Sequence, residues 1–151
     1  MVNDPEKQLA IINAAGKLLV PGAIRTLDDA IVNHQLPISH NGKLLNDPTH
    51  PYQGYYRGPE DTARKVAYHN GTAWCWPFPA YCEALAAVGG DGSRKRALAM
   101  LMSVAVWMEK GVIGELPEVV DGNIPHRNGG CPAQAWSISE FYRVFKILTK
   151  D

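Results

Sequence analysis

Residues 68–85 read YHNGTAWCWPFPAYCEAL. Tyr68, His69, Asn70 and Thr72 bring a phenol, an imidazole, an amide and a hydroxyl together, and Trp74 and Trp76 add flat apolar faces beside them. Such a set suits a sugar, whose C–H face stacks on an aromatic ring while its hydroxyls need donors and acceptors in fixed directions. The same residues also serve a plainer purpose, with Asn70 or Thr72 capping a helix and the tryptophans in the core. A second stretch, GELPEVVDGNIPHRNGGCPAQAW at 114–136, carries Glu118 and Asp121, then His126, Arg127, Gln134 and Trp136. A carboxylate on a loop ahead of a buried helix is placed to act as a general base, and a simply solvated loop carboxylate fits the same letters.

Helices must position these groups. Asp4 as N-cap with Pro5 at the first helical position opens a helix whose apolar residues Leu9, Ile12, Leu18 and Leu19 recur at helical spacing, closing near Pro21-Gly22. Between residues 25 and 67, Pro37, Asn41-Gly42, Asp47-Pro48, Pro51, Gly54, Gly58 and Pro59 break every period. An irregular segment of that length implies a functional loop or one packed on something else. Residues 72–88 read as a helix beginning near Trp74, with Pro77 and Pro79 in its first turns and Gly89-Gly90 ending it. Ser93 caps the next helix, and ALAMLMSVAVWM at 97–108 predicts a helix buried on most sides, too short to span a bilayer. A last helix is expected from about Ser137 to Thr149. With no β-alternation beyond a few residues, the predicted class is all-α.

Bulk properties narrow the partners. A chain of 151 residues with 46% apolar residues can bury one domain core. Fifteen basic and fifteen acidic residues cancel, so no long-range field recruits nucleic acid or an anionic membrane. The first twenty residues lack the basic end and unbroken apolar run of a secretory signal, which predicts a cytoplasmic protein. Cys75, Cys82 and Cys131 are odd in number and without CxxC spacing, so free thiols are expected rather than a disulfide framework or a metal site, and no cofactor motif is present. The Asn70-Gly71-Thr72 sequon is read as chance.

Four blocks carry a resemblance. LLVPGAIRTL at 18–27, YHNGTAW at 68–74, LPE at 116–118 and CPAQAWSISE at 131–140 resemble, in family order, the C-terminal part of glycogen debranching enzyme, its amylo-alpha-1,6-glucosidase domain. The likeness runs from about Asp4 to Leu148. It implies about a third of an (α/α)6 toroid of helical hairpins related to the glucoamylases, with residues 1–151 as an incomplete C-terminal segment of the catalytic domain. It also implies inverting hydrolysis of α-1,6-glucosidic branch points, in which one carboxylic acid protonates the leaving oxygen and a separated carboxylate activates water. By this likeness Glu118 is the general base, with Asp121 as fallback, and the family's acid lies in a preceding portion. His69, Asn70, Thr72 and Trp74 would line the glucose subsite with Tyr68, Trp76 and Arg25 among the substrate contacts. Gln134 and Trp136 would buttress the loop, and His126-Arg127 would face the cleft. Two departures stand out: Cys75 occupies a position commonly proline in the family, and residues 28–54 are longer than their counterpart.

The implied partner is an α-glucan, glycogen or a branched dextrin, with the preceding part of the toroid or a second copy as a further one. An isolated segment without the acid is expected to be inactive. The alternatives are a glucan-binding remnant without catalysis and a helical module that binds a protein through an exposed apolar face.

Overall fold

The computed structural model describes residues 3–150. The chain opens with α1 (Pro5–Gly16), where the Asp4 carboxylate accepts from the backbone N–H groups of Glu6 and Lys7 and Pro5 takes the first helical position. The helix ends before Leu18. Leu19–Val20 and Ala23–Arg25 form β1 and β2, an antiparallel hairpin with Val20 opposite Ala23. Its loop is Pro21-Gly22, in which proline presets φ and Gly22 supplies the positive φ of 68° that a type II turn demands. Leu18 and Leu19 thus follow a helical spacing by coincidence.

The irregular segment that follows holds a second hairpin, β3 (Ser39–His40) and β4 (Lys43–Leu44). Asn41 and Gly42 both take positive φ there, the combination a type I′ turn needs. A π-helical turn at Glu60–Arg64 then runs into α2 (Lys65–Tyr68), and residues Ala73–Trp74 form β5. The expected helix of 72–88 is therefore shorter at its start. Pro77 and Pro79 lack N–H donors and belong in a first turn, so α3 is Pro77–Val88. Gly92, not Ser93, caps α4 (Ser93–Leu101); the Ser93 hydroxyl instead donates to the Ala86 carbonyl. The apolar run at 97–108 is broken by a 3-10 turn at Met102–Val104 before α5 (Ala105–Met108). Val119–Val120 and Asn128–Gly129 are β6 and β7, and α6 is Ala135–Thr149.

The molecule is mostly helical, and the all-α expectation is corrected by a five-stranded antiparallel sheet of order β1-β2-β5-β6-β7. Strands of two or three residues are too short to show a period of two, which is why the sequence hides them. The core lies where α3, α4 and α6 pack together, around Cys82, Leu85, Ala97, Leu101, Val144 and Leu148. Buried Trp107 fastens this core to the β1–β2 turn, its indole N–H donating to the Pro21 carbonyl at 2.8 Å. Cys75, Cys82 and Cys131 are free thiols, and burial pushes the first two up to about 12. Among the described residues no helix is long and apolar enough to cross a membrane, and no group of three or more His, Cys, Asp or Glu is placed to hold a metal ion.

Candidate active site

The small sheet brings the chemically rich stretches together. β5 pairs with β2 on one side, Ile24 opposite Trp74 and Arg25 opposite Ala73. On the other side it pairs with β6, Ala73 opposite Val120 and Trp74 opposite Val119. Residues far apart in the chain therefore become neighbours across two-residue ladders. The start of α6 closes the group, with the Gln134 N–H donating to the Leu116 carbonyl at 2.8 Å and the buried Ser137 hydroxyl donating to the Pro117 carbonyl at 3.0 Å.

Glu118 stands just before β6, half-buried, with both carboxylate oxygens held. Oε1 accepts from the Tyr68 hydroxyl at 2.9 Å, and Oε2 accepts from the Cys131 backbone N–H at 2.9 Å. The Glu118 backbone N–H donates back to the Cys131 carbonyl at 2.8 Å. Space for this clamp exists because residue 130 is glycine. A Cβ there would stand 2.5 Å from Glu118 Oε2, and the φ of 67° is one that L side chains rarely adopt. Burial, and then the bond to Glu118, push the Tyr68 hydroxyl up to about 12, so it remains a proton donor to the carboxylate at neutral pH.

A cleft of about 670 Å3 opens over this group, its walls including Tyr56, Arg64, Tyr68, His69, Glu118 and Cys131. A second, mainly apolar cleft of about 260 Å3 lies beside it and includes Arg25, Trp74, Trp76 and Trp136. His69 lines both. Its imidazole is stacked on the Trp74 ring, 4° from parallel with centroids 6.0 Å apart, while the Trp74 indole N–H donates to the Tyr68 carbonyl.

The other residues singled out from the sequence lie elsewhere. Asn70 and Thr72 are buried and line neither cleft; Asn70 Nδ2 and Thr72 Oγ1 have no hydrogen-bond partner among the described residues. Neither caps a helix. His126 and Arg127 also line neither cleft. His126 takes a positive φ of 55° with its ring Nδ1 2.9 Å from the Asp121 carbonyl oxygen, and the Arg127 carbonyl accepts from the Asp121 N–H. Asp121 itself is buried rather than on the loop surface. Its carboxylate accepts from the Tyr56 N–H at 2.8 Å and from the Arg57 guanidinium at 2.5 and 3.2 Å, three bonds that fix the irregular segment presenting Tyr56 to the larger cleft.

Several cleft residues escaped sequence reasoning: Tyr56, Glu60, Asp61, Arg64, Lys65, Gly130 and the Cys131 amide. Tyr56 and Arg64 came from the segment read as an irregular loop, and the Cys131 contribution comes from its backbone, which no side-chain pattern advertises. The Asn128-Gly129-Gly130 run was the one available signal, since paired glycines mark backbone in special conformations or close approach.

Residues 1–143 match the model of the family described as amylo-alpha-1,6-glucosidase. A comparison with curated proteins found no match. The match spans all four blocks that meet at the small sheet, and the chain belongs to the amylo-alpha-1,6-glucosidase family, the C-terminal region of glycogen debranching enzymes.

Proposed function

We propose that this chain is the base-bearing segment of an inverting α-1,6-glucosidase site, with Glu118 as the general base. The observation that carries this reading is the two-sided clamp on the Glu118 carboxylate at the floor of a cleft large enough for a glucosyl unit. A carboxylate has about four lone-pair sites. Two are taken by Tyr68 and Cys131, which leaves acceptor capacity for a water while the carboxylate is held in one orientation. In the reaction, Glu118 takes a proton from that water and the water oxygen bonds to the anomeric carbon. The glycosidic C–O bond breaks on the opposite face, and a general acid protonates the leaving oxygen, giving the inverted sugar and a debranched glucan.

The acid is assigned outside residues 1–151, from the family order in which it precedes these blocks. The (α/α)6 toroid belongs to the same proposal, and the packing of α3 against α4 and α6 is compatible with hairpins of such a ring. Asp121 is set aside as base because it is buried, lines neither cleft and is ion-paired with Arg57. Glucose release from a singly branched dextrin is the test. The purified chain alone should release none, and the chain supplied with the preceding helices of a family member should release glucose in a manner abolished by Glu118→Gln. Turnover by the isolated chain, or turnover indifferent to Glu118→Gln in the supplemented form, overturns the proposal.

A further inference from the structure

We infer that residues 27–52 form a strap latched to the wall of the larger cleft through His40 and Lys65, and that protonation of His40 releases it. Both feet of the strap stand on the turn between Tyr68 and Trp74. At one foot the Thr26 N–H and hydroxyl donate to the Thr72 carbonyl at 3.0 and 3.1 Å, and the hydroxyl accepts from the Gly71 N–H at 3.0 Å. At the other the Gln53 N–H donates to the Asn70 carbonyl at 2.6 Å, next to buried Pro51, and the chain then reaches Tyr56 of the larger cleft. Between the feet the segment is braced by its own bonds. The Leu45 N–H donates to the Ile38 carbonyl at 2.8 Å and the Leu36 N–H to the Pro48 carbonyl at 3.0 Å, while the Asn46 amide accepts from the Ile38 N–H and donates to the Leu36 carbonyl. Ile31, Leu36 and Leu44 stay exposed rather than packing on the body. A loop closed on itself in this way, with β3 and β4 at its tip, moves as a unit, and loops so built frequently serve function.

Among the described residues, the hydrogen bond that ties the tip to the body joins His40 Nδ1 and Lys65 Nζ, 3.3 Å apart. Lys65 opens α2 and lines the larger cleft with Glu118. An ammonium has three donors and no acceptor, so the imidazole must present its lone pair at Nδ1 and carry its proton on Nε2. A second proton abolishes that acceptor and sets two cations face to face. Histidine is the side chain whose charge changes between pH 5 and 8. The charged groups around His40 favour release once it is protonated. Lys43 stands opposite it in the hairpin, and Glu60, Asp61, Arg64 and Lys65 lie along the turn and helix that the tip meets. Glu60 is paired with Arg64 at 3.4 Å, and the three cations outnumber the two carboxylates. His50, also in the strap, is bonded to Asp47 and Thr49 within it. The rim of the cleft at Lys65 is thus fixed at neutral pH and freed in acid.

The test places a nitroxide on the hairpin of the full chain through Ser39→Cys in a Cys131→Ser background, Cys75 and Cys82 being buried, and follows backbone amide signals by NMR. At about pH 7.5 the label should broaden the amides of residues 65–67, and at about pH 5.5 that broadening should fall by about twofold to fivefold, the range for losing an exposed polar pair. His40→Gln keeps an acceptor without a titrating charge and should stay latched at both pH values. His40→Lys should be released at both, and agreement of the two variants with the wild type elsewhere in the spectrum guards against a folding defect. Broadening equal at both pH values in the otherwise unchanged chain, or absent at both, overturns the inference. So does a loss in His40→Gln as large as with His40 present, which would trace the change to another group. No sugar enters the measurement, so its outcome bears on the strap and leaves the assignment of Glu118 to the glucose-release assay.

Discussion

Replacing Gly130 with alanine isolates the geometry on which the base assignment depends. Two effects add. The first is backbone: a φ of 67° in an L residue costs about 1–2 kcal/mol. The second is local crowding, since the new Cβ would lie 2.5 Å from Glu118 Oε2 and 3.0 Å from Glu118 Cβ. The carboxylate must swing away, surrendering bonds to Tyr68 and the Cys131 amide that, as hydrogen bonds to a charged group on a half-buried side chain, are together worth about 2–3 kcal/mol. The sum, about 3–5 kcal/mol, corresponds to a fall in melting temperature of roughly 6–20 °C for a domain of this size. Glu118→Ala removes the offending carboxylate and the bonds it makes but keeps the Cβ 3.0 Å away, so in that background Gly130→Ala should retain the backbone cost of about 1–2 kcal/mol and that lesser crowding, and no loss of the clamp. Chemical denaturation of the wild type, both single variants and the double variant closes the cycle and gives the coupling directly. An equal cost of Gly130→Ala in both backgrounds would refute the clamp.

The remaining predictions test neighbouring parts of the same site. In the chain joined to the preceding helices of a family member, Glu118→Gln should lower the rate by about 10²- to 10⁴-fold with folding intact, read by glucose release and thermal melting. Asp121→Asn should instead act on stability, by about 1–3 kcal/mol, because it breaks a pair whose carboxylate is buried while its Arg57 partner is partly solvated; a melt unchanged from wild type would contradict this. Ser137→Ala should cost about 1–2 kcal/mol by leaving the Pro117 carbonyl unpaired, seen as a lowered urea midpoint. In an ultraviolet titration Tyr68 should ionise near 12 rather than at the ordinary 10, and Tyr68→Phe should delete that late step. Because the folded value is the raised one, its contribution to stability is complete below pH 10 and fades as pH rises through 12. Glu118→Gln should move the step down without restoring the ordinary value, since burial is the larger cause; an unmoved step would mean the bond to Glu118 is absent in solution.

The helices were legible where local chemistry marks them. Asp4-Pro5 fixes the start of α1, α6 begins two residues before its expected position, and α3 ends at Val88 as expected but starts at Pro77 rather than near Trp74. What misled was periodicity read across a turn. Leu18 and Leu19 continue the apolar spacing of α1, yet Pro21 and Gly22 fold them back as a strand against Ile24. The apolar run at 97–108 is buried on one face only, at Ala97, Leu101, Val104 and Trp107, with Ala99 and Met102 exposed, so burial on most sides is over-read, and uniform apolarity carries no information about a 3-10 interruption at Met102–Val104.

The site is a different case, because its logic lies in pairings that no local pattern encodes. Tyr68 and Glu118 are 50 residues apart, and the contact between them follows from Trp74 standing opposite Val119 across a ladder of two residue pairs. A ladder that short is not held by its own hydrogen bonds. It is held by what packs around it: buried Ala73, Val119 and Val120 within the sheet, the Ser137 hydroxyl on the loop carbonyl before Glu118, and Thr26, whose hydroxyl donates to the Thr72 carbonyl and accepts from the Gly71 N–H. Gly71 and Gly122 let these strands approach, since a Cβ at 122 would stand within bonding distance of the Gly71 carbonyl oxygen. Asn70 and Thr72 are thus read best as backbone-positioning members of the YHNGTAW block, and Tyr68, His69 and Trp74 as the members that reach the clefts. The division follows the local backbone: Tyr68 ends α2 and Trp74 lies on β5, and the turn between them is held from outside, the Asn70 carbonyl by the Gln53 N–H and the Gly71 N–H by the Thr26 hydroxyl, so one block supplies both the support of the pocket and its surface.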